Sequence, residues 1–125
     1  MKIKKYPQSC FIIETNNKKI LIDAGGLKYQ DKFDDGIKRF YTTSDTICFN
    51  NNYKCDVVAL PITAHGLTMS SYEAALYSKE LGAKLVIPVH MDNDFYPTNL
   101  NYMKENFEKF DINYKVLEIE KTIEI

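Results

Sequence analysis

The sequence predicts an α/β fold, and three observations carry that prediction. A pair of short β-rich runs sits near the start of the chain. An unbroken apolar run, "DVVAL" (Asp56 to Leu60), reads as a buried strand. After it the hydrophobic period changes to a helical one and back again, so the order becomes strand–helix–strand–helix–strand. At 125 residues, with 45% hydrophobic and 26% charged content, the chain reads as one ordinary soluble domain spanning 1–125.

Each element has its own warrant. Cys10 to Glu14 and Lys19 to Asp23 are β-rich, and Asn16–Asn17 lies between them, which is a hairpin signal. Ala24 to Gly36 is polar, holds three of the five glycines, and reads as a loop. Ile37 to Thr42 reads as a strand, and Pro61 ends the buried one at Asp56 to Leu60. In "SSYEAALYSKELG" Ser70 and Glu73 have capping-box spacing, Ala and Leu recur at helical intervals, and Gly82 supplies the stop. "KLVIPVHMDND" (Lys84 to Asp94) is a second buried strand that delivers His90 at its end. A second helix over about 99–110 is predicted from Leu100, Met103, Phe107 and Phe110 on one stripe, with Pro97 and Thr98 ahead of it. "NYKVLEIE" and "TIEI" are expected to close the chain as strands.

Charge and cysteine content exclude several classes. A formal net charge of −1 gives no electrostatic reason for nucleic acid or an anionic membrane as a partner. The basic start, Lys2, Lys4 and Lys5, is not followed by the apolar stretch of a signal peptide, and no run reaches transmembrane length. Cys10, Cys48 and Cys55 cannot all pair within one chain, so a cytoplasmic location with buried free thiols is the expectation. A Cys–His nucleophile pair lacks any motif, because neither His neighbours a Cys and Phe11 and Phe49 make apolar surroundings. Gly25–Gly26 alone does not make a phosphate loop.

Four polar groups remain at strand ends or in the loops beyond them, where α/β folds place their sites. They are Asp23 after "ILI", Asp45 in "TTSDT", His65 in "PITAHGLTM", and His90. Singly, an Asp after a strand is a turn residue and a lone His is a surface residue. Their joint placement is what points to a site.

Three stretches are similar to metallo-β-lactamase-fold metal-dependent hydrolases, in particular the lactonase-like branch. "KIKKYPQSCFIIETNNKKILIDAG" resembles the opening hairpin, "FYTTSDTICF" the segment whose Asp bridges two metals, and "CDVVALPITAHGLTMSSYEAALYSKELGAKLVIPVHMDN" the closing strand–helix–strand unit that ends in a metal-binding His. The resemblance implies an αββα sandwich, with Asp23 as a structural Asp beneath the site, Asp45 as the bridging carboxylate and His90 as the late ligand. It gives His65 no ligand role, leaving it as a pocket residue.

The chain departs from that family in one respect. The His-x-His-x-Asp-His run and the several dozen residues around it have no counterpart, and only two histidines are present in all. A catalytic zinc site takes three protein ligands and a dinuclear one roughly twice that. Asp45 and His90, with His65 counted generously and Asp92 and Asp94 without a matched role, make at most one weak site for a zinc or manganese ion. The expectation is therefore a truncated, hydrolase-like protein with a degenerate metal site and weak or no activity. The alternative is an active hydrolase of an ester, lactone or phosphoester with a reduced or intersubunit site. The shortening is also expected to leave an edge or apolar face uncovered, which a homodimer would cover.

Overall fold

A computed structural model describes residues 2–5, 11–14, 19–22, 40–43, 45, 47 and 54–124. Among these residues seven strands and two helices follow in order: β1 (Lys2–Lys5), β2 (Phe11–Glu14), β3 (Lys19–Ile22), β4 (Phe40–Thr42), β5 (Val57–Pro61), α1 (Ser71–Leu81), β6 (Leu85–Val89), α2 (Leu100–Lys109) and β7 (Thr122–Glu124). They make two sheets. One is antiparallel in the order β3-β2-β1-β7, and the other is parallel in the order β4-β5-β6.

The period-two alternation of β5 explains the layering. Val57 and Ala59 face a core that also takes Ile3 from β1, Ile123 from β7 and Ile87 and Val89 from β6, so it lies between the two sheets. Val58 and Leu60 face the other way, into a core with Ala74, Tyr77 and Leu81 of α1 and Met103 and Phe107 of α2. Both described helices thus cover one face of the parallel sheet and the antiparallel sheet covers its other face. A strand buried on both faces must be apolar throughout, which is why "DVVAL" and "LVIPV" lack alternation. Pro88 is tolerated because β6 is the last named strand of its sheet.

The predicted helix signals are realised atom by atom. Ser70 Oγ accepts from Glu73 N–H at 3.2 Å, while Ser70 N–H donates to Glu73 Oε2 at 2.7 Å. Gly82 closes α1 at φ +68°, a left-handed position that costs glycine nothing, and its N–H reaches the carbonyls of Lys79 and Ser78. In α2, Asn99 Oδ1 caps Tyr102 N–H. Buried Asn106 donates to Ser71 Oγ at 3.0 Å and to Tyr102 O at 2.9 Å, which locks the two helices to each other.

The structure differs from the sequence reading in three places. β1 is a full strand ahead of the hairpin, although only Ile3 of its four residues is apolar. Leu100 is 54% exposed because it opens α2 and overhangs the packed stripe, which Met103, Asn106 and Phe107 form. "NYKVLEIE" is not a strand. Tyr114 makes a single bridge to Val86, after which the chain leaves the parallel sheet, buries Leu117 between the sheets and turns at Glu120 to enter β7. A segment that must change sheets cannot keep a ladder with either. Cys55 is buried and in no disulfide, as expected. Cys10, Cys48, Asp23, residues 37–39 and the loop 24–36 lie outside the described residues.

Candidate functional site

All three parallel strands send a polar residue beyond their carboxyl ends, on one edge of the sheet. Asp45 follows β4, His65 lies four residues past β5, and His90 is the residue directly after β6. Parallel pairing aligns those ends, with Thr42 opposite Ala59 and Pro61 opposite Val89. The pairing therefore brings together three residues spread over 46 positions of sequence, from Asp45 to His90.

His90 occupies an unusual backbone position, φ +63°. The left-handed region costs an L-residue about 1–2 kcal/mol, although His tolerates it better than branched residues do. The turn there stops β6 and leaves the imidazole at the strand end, where Nε2 pairs with Asp45 Oδ1. The His90 side chain is 23% exposed and that of Asp45 47%, so water reaches the pair.

His65 is held differently. The loop from Thr63 to Ser70 is closed by a bridge between its ends and by Ala64 N–H donating to Met69 O at 2.9 Å. Inside it, Thr68 Oγ1 accepts from His65 N–H at 3.1 Å, donates to His65 O at 2.7 Å, and lies 2.7 Å from Thr63 Oγ1. The His65 ring stacks on Tyr96, with centroids 3.3 Å apart and planes 17° from parallel. Asp45, His65 and His90 line one cavity of about 320 Å³, together with Thr63, Asn93 and Tyr96.

The described donors do not fit a zinc centre, which needs three protein ligands. Among the described residues no group of three His, Cys, Asp or Glu side chains is close enough together to hold an ion. Asp45 and His90 touch, His65 shares their cavity without joining them, and Asp92 and Asp94 are exposed and outside its lining. The place of Asp23 lies outside the described residues. Sequence reasoning missed Asn93 and Tyr96, whose only signal is that they follow a strand-end His within six residues.

No protein-family model matches the sequence, and no curated protein does either. Solved structures do match. A protein from Thermotoga maritima, described as a Zn-dependent hydrolase of the metallo-β-lactamase superfamily, aligns with a TM-score of 0.70 at 15% identity, over 97% of this chain and all of that one. The metallo-β-lactamase-fold protein YhfI from Bacillus subtilis aligns with a TM-score of 0.53 at 15% identity, over 97% of this chain and 46% of that one. A metallo hydrolase from Ignicoccus hospitalis is 28% identical over 57% of this chain and 32% of that one, with a TM-score of 0.47. The chain thus spans about a third to a half of the last two and the whole of the first. It has the metallo-β-lactamase fold. Among the described residues, no helix is long and apolar enough to cross a membrane.

Proposed function

We propose that the chain is a hydrolase-like protein of the metallo-β-lactamase fold with a degenerate metal site and weak or no hydrolytic activity. The observation that carries this reading is the Asp45–His90 pair. The resemblance makes both residues metal ligands, and although they come together at one end of the sheet, no third donor joins them among the described residues. One divalent ion, zinc or manganese, held weakly by Asp45 and His90 is the most this donor set supports. Such an ion, when bound, would supply Lewis acidity toward a carbonyl or phosphoryl oxygen. His65 serves the cavity as a pocket residue, and Asp23 retains the structural role that the resemblance gives it.

The test is a panel of lactone and phosphodiester substrates after loading with zinc or manganese. Rates at the uncatalysed background support the reading. Turnover abolished by both Asp45→Ala and His90→Ala overturns it. A second reading, an active hydrolase completed across a homodimer, draws support from Leu67, which lines the cavity, and Phe95, next in sequence to Tyr96. These side chains are 68% and 89% exposed. Light scattering decides that point, because a monomer at micromolar concentration removes the intersubunit site.

A further inference from the structure

The hydrogen-bond accounting of the cavity leaves an excess of donors. Asn93 Oδ1 is committed to Phe95 N–H at 2.9 Å, so the side chain turns its remaining capacity, an NH₂ group, to other partners. The Thr68 hydroxyl hydrogen goes to His65 O, and the Thr63–Thr68 hydroxyl pair is satisfied internally. The backbone N–H groups of Gly66 and Leu67 and the His65 ring nitrogens have no protein partner among the described residues, and all three residues line the cavity at its exposed rim, where the donors are open to solvent or to a ligand. The acceptor that would compete for them, Asp45, already faces His90. Gly66 sits at φ +60°, and a Cβ built there would meet nothing within 4 Å, so the backbone stands open to an approaching group.

We propose that His65, Gly66, Leu67 and Asn93 form a subsite for the oxyanion of a small acid, a carboxylate or phosphate group held beside the Asp45–His90 pair. Successive backbone N–H groups in a turn of this kind make an anion-binding concavity, and an amide NH₂ and an imidazole add directed donors. Stacking on Tyr96 fixes the plane of the imidazole, so its nitrogens are placed before the ligand arrives. Asp92 and Asp94 flank Asn93 in sequence and, like it, are exposed, but they lie outside the lining of the cavity. The subsite deepens the hydrolase-like reading by naming the class of ligand, and it rests on that reading only for its position next to Asp45 and His90.

The experiment is a titration of the full chain with inorganic phosphate and, separately, with acetate, followed by amide and side-chain NMR, with metal content measured on the same samples. Saturable shifts of the Gly66 and Leu67 amides and the Asn93 NH₂ are expected with at least one anion. The preferred anion identifies the group as phosphate or carboxylate. Asn93→Asp, which swaps the donor for a carboxylate at nearly constant volume, and His65→Ala are each expected to weaken binding at least tenfold. No saturable shift with either anion, or an affinity in both variants equal to that of the wild type, overturns the subsite. Two tightly held metal ions per chain while anion binding persists would instead refute the degenerate-site reading and leave the subsite standing.

Discussion

Asp45→Asn separates a relic pair from a working metal ligand by the size of its effect on stability. The substitution keeps the shape of the side chain and removes its charge, so what is lost is the ion pair with His90. With nearly half of the Asp45 side chain exposed and His90 partly so, the pair is solvent-screened. Exposed pairs contribute about 0.2–1 kcal/mol. If the same carboxylate held an ion present at a hundred times its dissociation constant, removing it would forfeit up to about 2.7 kcal/mol of linked stabilisation. Urea unfolding with and without a chelator reads the difference. The expected result is a loss below about 1 kcal/mol that chelator does not change. A loss of about 2.7 kcal/mol or more that vanishes once wild type is also chelated would mean that Asp45 is a working metal ligand.

Three further outcomes follow from the geometry. At position 90 the left-handed backbone makes His90→Ala less stable than His90→Gly by about 1 kcal/mol, since both lose the same pair and only glycine escapes the conformational cost; equal midpoints in urea would contradict the assigned φ. Phe107→Ala, which empties a fully buried site packed edge-on against Tyr114, is expected to cost about 3–5 kcal/mol by the same assay, and a cost under about 1 kcal/mol would mean that α2 does not cover the sheet. Ser70→Ala removes both the cap acceptor for Glu73 N–H and the hydroxyl bonded to Glu73, for an expected loss of about 1 kcal/mol with the His65–Tyr96 stack retained in aromatic NMR contacts.

Much of this architecture is legible in the sequence because local signals and tertiary demands agree there. The capping box and Gly82 fix α1 without reference to anything distant, and the two unbroken apolar runs can only be strands covered on both faces. Asp45, His65 and His90 are legible as a group for the same reason: each follows a run that must be a strand, and parallel strands bring their ends together. What was not legible depends on partners. β1 has one apolar residue among three lysines and is specified by its pairing with β2 and β7. The segment from Asn113 to Glu120 has strand-like composition, but it has to pass from one sheet to the other, which no local period records. The left-handed turn at His90, the stacking of Tyr96 and the donor left over on Asn93 arise from how three loops meet.

Elemental analysis of the purified chain after zinc or manganese loading and exhaustive dialysis counts the ions that the Asp45–His90 site can hold. Because only Asp45 and His90 come together and no third donor joins them among the described residues, well under one ion is expected to be retained per chain. Two tightly held ions per chain would contradict it.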